Sequence, residues 1–203
     1  VVLLADAGCD LLFAPGVQEM YAPGFATAVT VSGLSEPLEG RNRPSHFSGV
    51  ATVVAKLLIQ ARPDVAVFGE KDYQQLQVIK RLALDLDLPT AIIGAPTVRA
   101  EDGLALSSRN AYLTPAEREI APSLNAVLLN LARALAAGEP VAAAEAEAVE
   151  ALVAAGFDSI DYVETRHANT LERLGPGLIG EAPARVLAAG RLGKTRLIDN
   201  RAV

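Results

Sequence analysis

Residues 65–75 read VAVFGEKDYQQ, and this stretch indicates more about the fold than any other. The apolar run 65–68 predicts a strand, which ends at Gly69, and the charged run 70–72 opens a helix. In an open parallel sheet, ligands bind where the strands end, and the free N–H groups of a helix start favour anions. The stretch therefore predicts an α/β fold and a site for a ligand that carries phosphate.

The segments around this junction alternate between helix and strand patterns. A helix is predicted at 46–61, where Ser45 is the N-cap, and a second helix at 72–87. Strands are predicted at 65–68 and 91–93. Strand, helix and strand at this spacing favour a right-handed crossover, so the two strands are expected to be parallel.

The chain before residue 33 contains shorter apolar segments around a loop rich in Pro and Gly. We expect the end of a helix at 1–9, a short buried strand at 11–14 and a strand at 26–32. Cys9 is the single cysteine, so no intrachain disulfide can form and a reducing compartment fits best. Because free cysteines are usually buried, we expect a buried structural thiol. The chain begins without Met inside a helical pattern, as if earlier residues had been removed.

The sequence after residue 97 changes to a polar, turn-rich segment and then to helices and strands. Thr114 and Glu117 form a predicted capping box at the start of one long helix, whose apolar stripe continues to Leu135. The other predicted elements are a helix at 141–155 and strands at 159–165, 184–189 and 195–199. This order is typical of a small α+β module.

The composition narrows the classes of function. Of the 203 residues, 51% are hydrophobic, which is enough for a sizeable core. The formal net charge of -6 argues against nucleic acid as a partner, because nucleic-acid binding needs a basic face. No apolar run approaches the ~18 residues of a membrane span, so no membrane partner is expected. An anionic ligand must therefore be attracted by a local group of cations.

The motif GEKD at 69–72 contains the first candidate site residues. Lys71 beside a phosphate acts as a mobile point charge that can neutralise a leaving pyrophosphate. Asp72 can accept a hydrogen bond from a ribose hydroxyl, or it can simply cap the helix, as Asp often does. Gln74 and Gln75 follow directly; an amide can hold a hydroxyl or a carboxylate, but a surface glutamine is the plainer interpretation.

Two further motifs, LSSRN at 106–110 and RPSHF at 43–47, carry hydroxyls and cations. Arg109 offers a bidentate fork for phosphate, which the neighbouring serines and backbone N–H groups can complete. An ordinary polar loop is the alternative, because Ser and Asn favour turns. Arg43 and His46 precede or open a helix, where a histidine can donate to phosphate or have only a structural role. The two phosphate motifs, GEKD at the strand end and LSSRN, can face each other over one cleft at a domain junction.

Four runs resemble the pantoate–β-alanine ligase family: RPSHFSGVATVVAKL, FGEKDYQQLQVIKRL, PTVRAEDGLALSSRNAYL and GKTRLIDN. The resemblance extends from about residue 11 to the end. It implies a Rossmann-like nucleotidyltransferase parallel sheet in a domain at 1–97, and a smaller α+β lid domain at 98–203. It also implies a cytoplasmic homodimer that condenses (R)-pantoate with β-alanine to give pantothenate, in coenzyme A biosynthesis. The reaction implied uses ATP and Mg²⁺ and passes through pantoyl-adenylate, releasing diphosphate and AMP.

The resemblance implies roles for individual residues on the nucleotide side. The implied ATP-binding residues are Gly69, Glu70, Lys71, Asp72, Val98, Leu106, Ser107, Ser108 and Arg109. Within this set, Lys71 matches a phosphate contact, Asp72 a ribose contact and Val98 an adenine-side contact. Lys71 and Arg109 are the expected catalytic cations, because adenylation needs positive charge near the leaving pyrophosphate.

The remaining matches and the departures from the family concern the acid substrate and the histidines. Gln75 matches a pantoate-binding glutamine, and Arg43 and His46 match supporting positions near the active site. The family carries an H-x-G-H segment with its catalytic acid after the first strand, but the histidines of this sequence are His46 and His167. The first strand, a second pantoate-binding glutamine and the acidic positions assigned to metal have no counterpart either, so the metal ligands stay unassigned.

These departures lead to one interpretation and two alternatives. The chain is interpreted as an N-terminally truncated ligase with an incomplete parallel sheet, for which little or no activity is expected. One alternative is a non-catalytic module for nucleotide binding or dimerisation. The other is a different adenylate-forming ligase of the same superfamily, which Gln75 alone does not exclude.

Overall fold

Two sheets and eight helices make up the part of the chain that the computed structural model describes, residues 2–203. The helices are α1 (Val2–Asp6), α2 (Val17–Met20), α3 (Glu39–Asn42), α4 (His46–Ala61), α5 (Tyr73–Asp85), α6 (Pro115–Ile120), α7 (Ser123–Ala136) and α8 (Val141–Ala155). The strands are β1 (Val65–Gly69), β2 (Ala91–Ala95), β3 (Ser159–His167), β4 (Ala184–Leu192) and β5 (Thr195–Ala202). Strands β1 and β2 form a parallel pair, and β3, β4 and β5 form an antiparallel sheet in that order.

The parallel pair and its crossover helix confirm the predicted α/β class. Strand β1 runs beside β2 from the pair Val65 and Ala91 to the pair Gly69 and Ala95. Helix α5 connects them and packs on α4, because both helices turn an apolar stripe inward. Leu58, Leu76 and Ile79 are buried in this first core. The carboxyl end of β1 is therefore held firmly where the charged run begins.

The antiparallel sheet is covered on both faces. Along β4, Val186 and Ala188 belong to a second core, which α7 and α8 complete. Leu187 and Ala189 alternate with them and belong to the first core instead. The predicted α+β C-terminal part is confirmed, with strands longer than expected. Because the sheet contributes to both cores, the division into domains 1–97 and 98–203 stays a prediction.

The two strands predicted near the start of the chain are wrong. Residues 11–14 and 26–32 are not in a strand. A strand needs a neighbouring strand for its backbone hydrogen bonds, and the second segment finds side chains of α4 in its place. The N–H of Val29 donates to Thr52 Oγ1 at 2.9 Å, and Ser48 Oγ donates to the carbonyl of Val29 at 3.2 Å.

Two further expectations for the first part of the chain are wrong. Leu11 is 83% exposed, so the segment at 11–14 is not buried as predicted. Cys9 is exposed as well, and its Sγ donates to the carbonyl of Leu11 at 3.2 Å. The expectation of buried residues came from their apolar character alone, which does not say what covers them.

Helix termini follow the sequence patterns only in part. The capping box is confirmed, since the N–H of Thr114 donates to Glu117 Oε2 at 2.7 Å and the N–H of Glu117 donates to Thr114 Oγ1 at 3.3 Å. The helix expected to continue from it is broken into α6 and α7 around Pro122, which lacks the N–H that a continuous helix needs. Ser45 and Asp72 hold N-cap positions, but neither side chain makes a capping hydrogen bond.

Within residues 2–203, no helix has the length and apolar character needed to cross a membrane.

Candidate active site

A cleft opens where the carboxyl end of β1 meets the C-terminal sheet. Six of the residues singled out in the sequence line it: Arg43, His46, Lys71, Asp72, Gln74 and Gln75. They come from the start of α4 and from the junction between β1 and α5. The short 3₁₀ turn Glu70–Asp72 makes this junction and turns Lys71 and Asp72 toward the cleft.

A second, narrow cavity adjoins the first and brings in the other phosphate motif. Ser107 and Arg109 line it, together with Asn110. Lys71 and Asp199 line both cavities. The two motifs, which are far apart in the sequence, are therefore neighbours across one continuous cleft, as expected for a ligand site between packed units.

The cleft carries local positive charge although the chain is acidic overall. Arg43 and Arg109 are exposed there. Burial lowers the pKa of His46, and the charges of Arg43 and Arg109 lower it further against the opposing charges of Glu39 and Asp72. Burial and then the nearby cations therefore favour the neutral form of His46, and an anionic ligand that neutralises those cations would oppose part of this effect.

Other residues from the nucleotide motifs lie beside the cleft and not in its lining. The Glu70 carboxylate is engaged by Arg185, with 3.2 Å between Oε2 and Nη2, and Arg185 also lies over the ring of Tyr73. Val98 and Leu106 are exposed on a tight hairpin, where the N–H of Leu106 donates to the carbonyl of Val98 at 2.9 Å. Ser108 is exposed as well, and none of these residues lines either cavity.

Gly69 and Ser107 shape the backbone at the two motifs. A Cβ at Gly69 would project into open space, so the backbone there is accessible to a ligand that needs close approach. Ser107 Oγ accepts a hydrogen bond from the N–H of Arg109 at 3.2 Å and caps the 3₁₀ turn Ser108–Tyr112. The backbone is thus open to solvent at Gly69, and it is held by a local side-chain hydrogen bond at Ser107.

Strand β5 contributes site residues that the sequence reasoning missed. Asn200 Nδ2 donates to the carbonyls of Glu70 and Lys71, at 2.9 and 3.0 Å. Asp199 pairs with Arg99, at the base of the hairpin that leads into the second motif. The signal in the sequence was two adjacent polar residues, Asp and Asn, in an otherwise alternating strand within the run GKTRLIDN.

A buried ionic group forms the floor of the cleft. Arg196 donates to both oxygens of Glu39, at 2.6 and 2.7 Å, and Tyr162 Oη donates to Glu39 Oε1 at 2.8 Å. Burial raises the pKa of Glu39, but the hydrogen bonds from Arg196 and Tyr162 outweigh it and hold the pKa below its usual value. The group joins α3 to the C-terminal sheet across the cleft.

Gln74 supports this floor, which corrects its interpretation as a surface glutamine. Its side chain is buried, and its Oε1 accepts from the N–H of Glu39 at 3.0 Å. Its Nε2 donates to the carbonyls of Leu34 and Pro37, at 2.8 and 2.7 Å. Gln75, one position later, lines the same cleft but is only half-buried, so its amide is more accessible than that of Gln74.

The described residues do not fit a metal site held by the protein alone. Among residues 2–203, no three His, Cys, Asp or Glu side chains are grouped so that they can hold a metal ion. Of the carboxylates that line the cavities, Glu39 and Asp199 are already paired with arginines. Asp72 is exposed. Mg²⁺ commonly binds through one or two carboxylates and substrate phosphates, so a metal here would have to arrive with a phosphate ligand.

Comparison with known proteins places the chain among proteins of one kind. Residues 1–202 match the family model described as Pantoate-beta-alanine ligase, about ten residues earlier than the motifs had indicated. The pantothenate synthetase of Caulobacter vibrioides is 66% identical over 200 residues, which is 98% of this chain and 70% of that protein. That of Paramagnetospirillum magneticum is 60% identical over 197 residues, 97% of this chain and 68% of that protein. The chain thus spans about 70% of the length of such relatives.

Solved structures match the fold equally well. The crystal structure of pantothenate synthetase from Thermus thermophilus has a TM-score of 0.91 and 51% identity, and the match covers 98% of this chain and 72% of that one. The pantoate-beta-alanine ligase from Francisella tularensis, complexed with beta-gamma ATP and beta-alanine, has a TM-score of 0.77 and 33% identity. That match covers 99% of this chain and 67% of the other.

Proposed function

This chain belongs to the pantoate-beta-alanine ligase family, and from that membership we propose that its cleft carries out the ATP-dependent condensation of (R)-pantoate with β-alanine. In the first step, a pantoate carboxylate oxygen attacks the α-phosphorus of ATP, giving pantoyl-adenylate and diphosphate. In the second, the amine of β-alanine attacks the acyl carbon and AMP leaves, giving pantothenate. The observation that best supports the proposal is that Lys71 of the GEKD motif lines both cavities, including the one lined by Ser107 and Arg109 of the LSSRN motif.

Lys71 and Arg109 have the central role in the proposed chemistry. Diphosphate leaves with growing negative charge, and fixed cations beside it lower the barrier. Lys71 supplies a point charge from the β1 end, and Arg109 supplies a planar fork from the opposite segment. Arg43, just before α4, adds a further cation, and the imidazole of His46 at the start of α4 can donate a hydrogen bond to the same phosphates.

Gly69, Glu70 and Asp72 complete the nucleotide side at the first motif. The open space over Gly69 allows a phosphate or ribose to approach the backbone. Asp72 is exposed at the cleft and free to accept from a ribose hydroxyl. Because Arg185 engages the Glu70 carboxylate, we assign to Glu70 a backbone contact with ATP in place of a side-chain contact.

The hairpin before the second motif suits the adenine base. Val98 and Leu106 lie side by side through their backbone hydrogen bond and expose apolar side chains, which can cover a flat aromatic ring. Ser107 and Ser108 follow with hydroxyl groups for the phosphates. On the other side of Lys71, Gln75 offers an amide to the hydroxyl or carboxylate groups of pantoate.

Three statements about the surroundings of the reaction are also proposals, supported by the family resemblance. Mg²⁺ enters with ATP on its phosphates and is not held in a cage of protein ligands. The protein is a homodimer and works in the cytoplasm. Its small-molecule partners are pantoate, β-alanine and ATP, and its acidic balance argues against nucleic acid as a further partner.

An assay of AMP release tests the proposed function. The sequence predicts little or no activity for this chain, so the assay first establishes whether it releases AMP at all, which should require ATP, pantoate and β-alanine together. Lys71→Ala should lower the rate by about 100- to 1,000-fold, the range for removal of one group that stabilises the developing charge. Lys80→Ala is the matched control, because Lys80 is exposed on α5 away from the cleft.

Other outcomes of this assay would point elsewhere. ATP binding that Lys71→Ala weakens, without AMP release for any acid, would favour a non-catalytic nucleotide-binding module. AMP release with acids other than pantoate would favour another adenylate-forming ligase. Equal ATP binding or turnover by Lys71→Ala and the unchanged protein would contradict the assignment of the cleft as the nucleotide site.

A further inference from the structure

Asn200 holds the turn that carries Lys71. The side chain is buried, and its Nδ2 group donates to two successive carbonyls, Glu70 at 2.9 Å and Lys71 at 3.0 Å. An amide nitrogen carries two N–H groups, so both donors are used on this one turn. The link joins residues 129 and 130 positions apart in the chain.

Strand β5 holds Asn200 itself in a fixed place. In the β4–β5 ladder, Asn200 is opposite Leu187 and Asp199 is opposite Ala188. Since side chains alternate along a strand, Asn200 points to the face of the first core, where the Lys71 turn lies. The backbone N–H of Asn200 also donates to Asp199 Oδ1 at 2.8 Å, which fixes the local backbone further.

We propose that Asn200 is a positioning residue for the ligation, acting through the backbone of Lys71. The inference rests on the proposed function, because it assigns to Lys71 a charge that must meet the phosphates in the correct place. Lysine has a long flexible side chain, so the direction from which it starts is set by its backbone. Loss of the two hydrogen bonds lets the Glu70–Asp72 turn move, and a displacement of about 1 Å is enough to impair a reacting group.

The competing explanation is that Asn200 only stabilises the fold. In that case, its replacement would lower the amount of folded protein and affect every step equally. If Asn200 instead positions Lys71, replacing Asn200 should lower turnover only when the Lys71 ammonium is present. The two explanations can therefore be separated by a double-mutant cycle.

The kinetic experiment compares Asn200→Ala with a matched control, Asn125→Ala. Asn125 is also an amide that ties an element to β5, since its Oδ1 accepts from Arg201 Nε and Nη2 at 2.8 and 2.6 Å, but it does not touch the Lys71 turn. We expect Asn200→Ala to lower kcat for AMP formation by on the order of 10- to 100-fold, and Asn125→Ala to leave it within about twofold.

The same replacement is then made in a Lys71→Ala background. There, Asn200→Ala should change kcat by less than about twofold, because the group that it positions is already absent. An equal fold-loss with and without Lys71 would overturn the proposal. Asn200→Asp gives a second variant of the same shape, in which carboxylate oxygens replace the donors, and it should behave like Asn200→Ala.

A second readout does not depend on activity. Hydrogen exchange of a peptide that covers 69–75 should be about tenfold faster in Asn200→Ala than in the unchanged protein, and unchanged in Asn125→Ala. If the unchanged protein binds no ATP and forms no AMP, the proposed function fails, and this exchange measurement still decides whether Asn200 positions the turn. Unchanged exchange at 69–75 would show that it does not.

Discussion

The guanidinium of Arg99 and the carboxylate of Asp199 form a two-bond salt bridge between residues 100 positions apart in the chain. Nη1 lies 2.6 Å from Oδ2 and Nη2 lies 2.9 Å from Oδ1. Both side chains are largely buried, and Arg99 also donates to the carbonyl of Gly103 at 3.1 Å. Because Asn200 holds the Lys71 turn, two adjacent residues of β5 fix both phosphate motifs. The geometry of the cleft therefore depends on one strand.

Asp199→Ala is expected to lower the free energy of unfolding by about 3–5 kcal/mol, because it leaves the buried guanidinium of Arg99 without its partner. Urea denaturation measures the loss. Asp85→Ala is the control, since Asp85 forms an exposed pair with Arg81 one turn away on α5, and should cost less than about 1 kcal/mol. Equal losses of unfolding free energy in the two variants would show that the buried Arg99–Asp199 pair stabilises the fold no more than an exposed pair does.

Arg109→Ala is expected to change function and not stability. Its side chain is exposed, so thermal unfolding should move little, whereas kcat/KM for ATP should fall by about 100-fold if it stabilises the leaving diphosphate. Arg109→Lys should recover only part of this, because lysine keeps the charge but loses the planar fork. Arg118→Ala, which removes an exposed partner of Asp102, should leave kcat/KM unchanged. If Arg109→Ala and Arg118→Ala lowered kcat/KM for ATP by the same factor, a specific catalytic role for Arg109 would be contradicted.

Tyr162→Phe tests the floor of the cleft. The phenol donates to the Glu39 carboxylate at 2.8 Å, and burial together with the charge of Glu39 raises the pKa of Tyr162, so the phenol remains a donor. Removing one buried hydrogen bond to a charged group should cost about 2 kcal/mol of unfolding free energy. Tyr112→Phe is the control, because Tyr112 is 76% exposed, and it should have no measurable effect in the same urea titration.

The sequence predicted the elements whose signals are local. The apolar stripes of α4 and α5, the Thr114 capping box and the three C-terminal strands were all found, because each depends on residues close together in the chain. The segments at 11–14 and 26–32 were mistaken for strands, since an apolar pattern shows that a segment can pair but not that a partner is present.

The sequence likewise identified only those candidate site residues that belong to local motifs. Lys71 and Arg109 were named from motifs that indicate cations and turns. Asn200 and Glu39 were not, because their importance depends on partners about 120 to 160 residues away, and neither carries a local pattern that differs from an ordinary polar residue. Asn200 would have been found by the rule that a polar residue in an otherwise apolar strand often forms hydrogen bonds to the backbone of another segment.

His46 is expected to make stability depend on pH in a defined window. Burial, Arg43 and Arg109 lower its pKa below the usual value of 6.5 in the folded state. Between the lowered pKa and 6.5, the unfolded chain therefore binds more protons, so the free energy of unfolding rises with pH and is lost as pH falls through this window. Glu39, whose pKa is also lowered, acts in a separate window below 4.5. Urea titrations should show that His46→Gln flattens the dependence just below pH 6.5 and leaves the acid limb in place.

ATP is expected to raise the pKa of His46, because its phosphates neutralise the Arg43 and Arg109 charges that now lower it. Binding must then take up protons in the window below 6.5, so ATP should bind more tightly as pH falls through it. An NMR titration of the imidazole protons measures this directly, and His167 supplies the control in the same spectrum, since it does not line the cleft. The His46 resonance should titrate at higher pH with ATP than without it, whereas the His167 resonance should not respond to ATP. A His46 titration that ATP leaves unchanged would mean that the phosphates bind away from Arg43 and Arg109.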